Sequence, residues 1–408
     1  MKKTNRNIFY IGLLSFFGGI SQDIFVPILP LYLANVLGLD KVFIGISEGL
    51  VTSGASLFKI ISGFWVDKFG SKKPFIFLGY FLSMIARPLL AFTSAASAVL
   101  FLRFVDGVGK GLKDSPKDAL IADSSDAATR GKSFGIARTL DTFGSVAGPL
   151  ILFGLLYLLK DHPLQYQLIL VATAFPLLVT LTLLQTKVKE TGFPSLDPRL
   201  RGDDNKAKRA LPKKFYIFLA IMLLFGLGNS SDAFLILRAQ DVGLTILAIP
   251  LVFALFNAVY ASVSIPLGSL SDRIGREKVM LLGWFAYAVA YLGFGFAKES
   301  YQIWLLFAFY GLYYATTYGV AKAFVADMVP SSHRGRAYGI YNTAIGLVSL
   351  PASVIAGLLW DRVNPSAPFF FGSGVALVAS CFFLLFWLHQ SRQKITLPFS
   401  EKQSDQRR

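Results

Sequence analysis

Apolar stretches separated by short polar breaks recur along the whole chain. Each is about twenty residues or longer, the length an α-helix needs to cross the hydrocarbon core of a bilayer. Read against the breaks, they predict twelve spans: 8–38, 43–66, 74–95, 97–121, 134–159 and 164–186, then 214–238, 244–271, 279–297, 301–326, 337–361 and 366–390. Several exceed twenty residues, which implies tilt or extension beyond the hydrocarbon. The 187–213 segment is polar, contains Pro and Gly and lacks periodicity, so it reads as a flexible cytoplasmic linker. The expected organisation is a bundle over 1–186, a linker over 187–213, a second bundle over 214–390 and a disordered tail over 391–408.

Composition agrees with the pattern. Of 408 residues, 54% are hydrophobic and 16% charged, and the mean hydropathy is +0.56. A soluble domain would be about a quarter charged. The net charge of +16 would suggest nucleic acid in a soluble protein. Here the basic residues collect in alternate loops: Lys2, Lys3 and Arg6; Lys68, Lys72 and Lys73; Arg130 and Lys132; the linker; Arg273, Arg276 and Lys278; Arg334 and Arg336; and the tail. The loops at 39–42, 93–97, 160–163 and 298–300 are short and poor in them. The positive-inside rule makes the basic set cytoplasmic, with both termini inside a bacterial-type inner (plasma) membrane. The bilayer is thus a partner and nucleic acid is not; a monomer is expected.

The first apolar run passes from Ile8 through Gln22 and Asp23 to about Gly38, which reads as a span rather than a cleaved leader. Cys381 is the sole cysteine, so no intramolecular disulfide forms; it reads as a packing residue of the last span. His162, His333 and His389 are too scattered to suggest a metal site. The chain has no P-loop, no His/Glu metal pair and no Gly-x-Ser-x-Gly, so no cofactor, enzymatic chemistry or ATP-driven step is expected.

The chain also repeats itself across the linker. Gly63-Phe-Trp-Val-Asp67-Lys68-Phe-Gly70-Ser-Lys72-Lys73 follows span two, and Gly268-Ser-Leu-Ser-Asp272-Arg273-Ile-Gly275-Arg276-Glu-Lys278 follows span eight, 205 residues on (268 minus 63). At nearly the same offset Ala122-Asp123…Arg130-Gly131…Gly135 returns as Ala326-Asp327…Arg334-Gly335…Gly339. Gly19…Asp23-Ile-Phe25 matches Gly228…Asp232-Ala-Phe234. On these residues the sequence resembles a major facilitator superfamily transporter over essentially its whole length. The loop Gly-x-x-x-Asp-(Lys/Arg)-x-Gly-x-(Lys/Arg)-(Lys/Arg) is that family's signature, and both halves carry it, with Glu277 as a mild departure in the second.

The resemblance implies an all-α membrane protein of twelve transmembrane helices in two pseudo-symmetric six-helix bundles. A central cavity is lined mainly by spans one, four, seven and ten, and access alternates as the bundles rock. It makes gating residues of Gly63, Asp67, Lys68, Gly70, Lys72, Lys73 and Arg130 in one half, and Asp272, Arg273 and Arg334 in the other. The glycines allow close approach, and the aspartates can pair across the interface in one state and separate in the other. Against this stands the reading that these charges only set topology.

Ionisable groups inside spans cost roughly 2.5–3.5 kcal/mol each on insertion scales, so they need a partner or a purpose. Span four is the outlier. Arg103, Asp106, Lys110, Lys113, Asp114, Lys117 and Asp118 fall on one arc, roughly 140° wide at ~100° per residue, expected to face the cavity. Arg103-x-x-Asp106-Gly107-x-Gly109-x-Gly111 resembles the family's span-four motif, whose arginine is implicated in proton coupling. Asp106 stands where the family usually has Gln. A self-neutralising ladder, Asp106–Lys110–Asp114, is the plainer alternative. Aligning Gly107 on Gly311 sets Asp106 against Tyr310, Lys110 against Tyr314, Lys113 against Thr317 and Asp114 against Tyr318. Cations on one wall and tyrosines on the other suit an organic anion with an apolar or ring portion, although an aromatic stripe can equally be core.

A carboxylate buried in a span can bind and release a proton during a transport cycle. Asp23 is the first such candidate, followed by Glu48, Asp232, Asp106 and, through the motif, Arg103. The substrate candidates are Gln22, Lys110, Lys113, Asp114, Asn229, Tyr310, Tyr314 and Tyr318. Glu48, Lys59, Arg87, Arg138 and Asp141 are expected to pair between helices. In span five, Gly135, Gly144 and Gly148-Pro149 resemble the motif of proton-driven drug antiporters, with Leu152 and Phe153 replacing its last glycines; the same spacing also serves helix packing. The expected function is proton-coupled transport of a small, amphipathic organic anion, with efflux favoured. Uptake symport of an organic anion, metabolite or siderophore is the alternative, and a channel or non-transporting sensor a remote one.

Overall fold

A computed structural model describes residues 3–125, 130–191, 211–330 and 333–405. Fourteen helices account for nearly all of them and make twelve spans. Spans one to five are Lys3–Asn35, Lys41–Phe69, Lys73–Leu90, Ala96–Asp123 and Arg130–Leu158. Spans six and seven are each two helices, Gln165–Ala172 with Ala174–Thr186, and Lys213–Gly228 with Ala233–Asp241. Spans eight to twelve are Ile249–Ile274, Arg276–Phe296, Ser300–Met328, Arg334–Arg362 and Ala367–Asp405.

Ten of the twelve are long and apolar enough to cross a membrane on their own. The other two, spans four and ten, are 28 and 29 residues long and too polar by themselves. Both lie in pseudo-equivalent places, four between spans two and three, ten between spans eight and nine. Neighbouring helices shield their polar faces, so they need less apolar surface of their own. Apolar side chains such as Phe92, Phe175, Ile265 and Leu385 point outward, as a lipid-facing surface requires.

Two expectations change. Span seven, expected as one helix over 214–238, breaks between Gly228 and Ala233. The interrupting Asn229-Ser-Ser-Asp232 carries side chains that compete with the helix for backbone hydrogen bonds. Tyr287 donates its hydroxyl to the freed Gly228 carbonyl, and the Ser231 amide donates to the Ser353 hydroxyl, so the break remains satisfied. The last helix extends to Asp405, with Pro398 inside it. Cys381 is exposed rather than packed, because it lies on the outward face of span twelve.

The halves meet chiefly along two crossings, spans two with eleven and spans five with eight, and span one also touches the second helix of span seven. The two–eleven contact runs from Lys41 to Ser56 against 361 to 346. Toward the basic loops the helices part: Gly268, Gly335 and Gly339 have nothing within 4 Å of a Cβ placed on them. The central cavity therefore opens on the basic-loop face and is closed on the opposite one.

Candidate functional site

Span four brings its charges to the wall between spans one, two and three. Asp106, wholly buried, is the hub. The Arg87 Nε of span three lies 3.0 Å from one oxygen. Arg103 and Lys110, at i−3 and i+4 on the same helix, lie 3.5 and 3.4 Å from the other. Arg103 reaches on to Glu48 of span two at 2.5 Å and to the Ser47 hydroxyl at 3.2 Å. Arg87 also donates to the Ser21 hydroxyl and the Gln22 amide oxygen of span one, and both guanidinium groups lie over the Phe25 ring. Three cations thus share two carboxylates. Burial of such groups is tolerated through pairing: one Asp106 oxygen is hydrogen-bonded by Arg87, and the other is held by ion pairs alone. Asp114 pairs with Lys113 at 3.1 Å and Lys59 at 3.9 Å, rather than continuing a ladder from Lys110. Lys117 donates to the Ser15 hydroxyl of span one.

The second half meets the same requirement without cations. Asp232, at the break in span seven, accepts one hydrogen bond from Tyr310 and one from Tyr314, each 2.9 Å. Asn229 donates to the Tyr313 hydroxyl at 3.0 Å. Behind them lies a continuous aromatic pack: Tyr287 stacks on Tyr291 with centroids 4.1 Å apart, and Phe225 on Trp284 at 4.6 Å. Tyr310, at 1% exposure, belongs to that pack.

Two adjoining chambers occupy the centre, one of about 680 Å³ and one of about 430 Å³. Gln22, Asp23, Lys110, Lys113, Asp114 and Asn229 line the larger chamber. Glu48, Arg103, Asp232 and Tyr314 line the smaller, and Gln22, Lys110 and Asn229 border both. Asp106 and Tyr310 line neither, because each lies behind the groups it binds. Arg87, Tyr313, Phe225, Asn342 and Lys322 also line the larger chamber and were not among the expected binding residues. Tyr313 was hidden by its neighbour Tyr314, and Phe225 by an apolar run with no polar signal. Charge is distributed unequally. Among the described residues, Lys322 is the sole charged residue that the second half of the chain contributes to the larger chamber, whereas the first half supplies Asp23, Lys59, Arg87, Lys110, Lys113, Asp114, Lys117 and others.

The described gate contacts are made within each half. Lys72 Nζ lies 2.6 Å from Asp123 and donates to the Thr191 carbonyl. Glu190 accepts from the Lys72 and Lys73 amides at the start of span three, and Lys73 Nζ donates to the Val188 carbonyl. In the second half, Arg276 pairs with Asp327 at 2.5 Å and with Asp272 at 3.6 Å. Asp123 and Asp327 are repeat-related (327 minus 123 is 204), whereas the 205 offset of the signature loop sets Arg276 against Ser71, so the cation reaches its acid from a neighbouring loop position. Gly63 faces Ser115, Lys68 lies 5.7 Å from the Phe69 ring centroid, and Gly70 ends span two at φ 70°. Arg334 donates to the Ala326 carbonyl. The side chains of Asp67, Arg130 and Tyr318 and residues 192–210 of the linker lie outside the described residues.

Span five packs on span one through its glycines. A Cβ at Gly144 would strike the Phe16 backbone and one at Gly148 the Asp23 and Ile20 backbone, whereas Gly135 faces open space. Arg138 pairs with Asp141 at 3.1 Å on its own helix and donates to Tyr260 of span eight, so only part of its pairing is between helices.

Comparison with known proteins agrees with this architecture. The family model described as Major Facilitator Superfamily matches residues 11–237 and again 215–405. An MFS-type transporter of Methanocaldococcus jannaschii is 34% identical over 94% of this chain and 95% of its own length. The quinolone resistance protein NorA of Staphylococcus aureus is 23% identical, over 96% of this chain and 99% of its own. Among solved structures, a D-xylose-proton symporter superposes with a TM-score of 0.73 at 17% identity, covering 93% of this chain and 98% of that one. The chain belongs to the major facilitator superfamily.

Proposed function

We propose that this protein is a proton-coupled secondary transporter of small, amphipathic organic anions, working by alternating access with the basic loops in the cytoplasm. The observation that carries this reading is the division of the cavity wall, with lysines and arginines from the first half facing Phe225, Tyr313 and Tyr341 from the second. Cations supply attraction for an anionic group, and aromatic faces supply apolar contact for the remainder of the solute. Lys110, which borders both chambers, is assigned to the anion together with Lys113. Asp23 is assigned to the proton: it faces the cavity, with Ser145 beside it. Asp232 is tied by two tyrosine hydroxyls and serves better as a structural acid.

Export is the direction favoured, supported by the likeness to a quinolone resistance protein along nearly the whole chain. The test is transport in proteoliposomes with an imposed pH gradient against a panel of organic anions and cations. Saturable, gradient-driven movement of anions is expected. If Asp23→Asn and Lys110→Ala both left gradient-driven flux intact, the site assignment would fail. Flux that did not saturate and exceeded carrier turnover would mark a channel.

A further inference from the structure

The face opposite the basic loops is closed by an unusually intimate crossing of spans two and eleven. A Cβ at Gly45 would meet the Ser353 backbone, one at Gly49 the Leu350 backbone, and one at Gly357 the Lys41 and Val42 backbone. Ser53 donates to the Gly346 carbonyl at 3.0 Å further in. Glycines at such points allow two helices to touch along their backbones.

At the end of this crossing, Asp361 on span eleven reaches over to the other half. One of its carboxylate oxygens accepts the backbone amides of Lys41 at 2.8 Å and Val42 at 2.9 Å. These belong to the first turn of span two, where helix amides lack partners within the helix and a carboxylate is favoured by the helix dipole. Asp40 of the first half caps the same turn conventionally, accepting the Phe43 amide at 2.7 Å. One helix start is therefore capped by two carboxylates, one from each half.

Among the described residues the partner crossing has no such device. The offset of 204 that relates Arg130 to Arg334 sets Asp361 against Tyr157, whose side chain is exposed and carries no carboxylate. Span eight begins at Ala248 without a side-chain cap.

The geometry points to Asp361 as a latch between the halves. It caps span two only while this face is closed, and must release those amides whenever the cavity opens here. Asp361 positions the bundles; it does not touch solute. The opening step rests on the alternating-access reading, whereas the latch can be read out with neither solute nor gradient present.

The test uses the full chain with Cys381→Ser, spin labels at Val36→Cys and Val363→Cys, and electron–electron distance measurement in nanodiscs. Both positions are exposed, and they lie on opposite halves of the closed face. Asp361→Ala is expected to raise the ratio of separated to closed populations about tenfold, as loss of a helix cap implies. Asp361→Asn, which keeps an acceptor but loses the charge, is expected to give a smaller rise. Asp40→Ala weakens the same helix start from within one half and is expected to leave the distances unchanged. A wild-type distance distribution in Asp361→Ala would overturn the latch, as would an equal shift in Asp40→Ala. Should the alanine variant not fold, the asparagine variant decides: a shift supports the latch and none overturns it. Failure of the transport reading would show as absent flux with these distance shifts intact.

Discussion

The two halves solve one problem by different chemistry. Each places an acid deep among its helices. In the first half, Asp106 is surrounded by Arg87, Arg103 and Lys110; in the second, Asp232 is held by Tyr310 and Tyr314. The repeat sets Lys110 against Tyr314, so one helix position supplies an ammonium in one bundle and a hydroxyl in the other. Hydroxyl donors satisfy a carboxylate without adding a cation, which leaves the second wall aromatic and, Lys322 apart, without cations among the described residues. Cations satisfy it with charge left over, and the excess faces the cavity. A duplicated scaffold can therefore keep its packing while its two walls diverge in what they bind.

That contrast can be broken most sharply at its centres. Asp106→Ala strands three cations beside Glu48 alone, at a cost of about 3–5 kcal/mol. Tyr310→Phe removes one of two hydrogen bonds to Asp232 and costs roughly 1–3 kcal/mol. Thermal unfolding in detergent should show a much larger fall in Tm for the first variant. Equal falls would mean that the charges of the first half are not its organising element.

The gate pairs of the two halves offer a smaller version of the comparison. The Lys72 side chain is wholly buried against Asp123, whereas Arg276 and Asp327 are partly solvated. Lys72→Ala should cost about 2–3 kcal/mol through the stranded carboxylate. Arg276→Ala should cost about 1 kcal/mol or less, because solvent screens the pair. Chemical denaturation of both variants checks the ranking, and a larger loss for Arg276→Ala would reverse it.

On the proposed reading, the acids of spans one and seven differ in role. Asp23→Asn should abolish accumulation driven by a pH gradient while solute exchange at equal pH persists, and Asp232→Asn should retain both. Loss of gradient-driven accumulation in Asp232→Asn with its retention in Asp23→Asn would exchange the two assignments.

Much of this was legible in the sequence because membrane crossing leaves a long-range pattern. The spans, the duplicated signature loops and the charged arc of span four follow from hydropathy and repeat. The break at Asn229–Asp232 was not legible as a break: a short polar interruption inside an apolar run can also be a cavity-facing helix turn. The partners of Asp106 were visible as ionisable residues, but which cation faces which carboxylate depends on helix rotation. That rotation set Asp106 and Tyr310 behind the lining and Tyr313 upon it. Asp361 carried no signal at all, since its partners are backbone amides.

The central claim is that the first half supplies charge and the second supplies aromatic surface to one solute. It is tested most directly by measuring the affinity of purified wild-type protein and Lys110→Ala for an aromatic carboxylate and for its carboxamide, by calorimetric titration. In the wild type the carboxylate should bind more tightly. In Lys110→Ala it should weaken about 10- to 30-fold, in line with the ~1.5–2 kcal/mol of one charged hydrogen bond, while the carboxamide is unchanged. Equal weakening of both, or of neither, would contradict the division of the cavity into a charged and an aromatic wall.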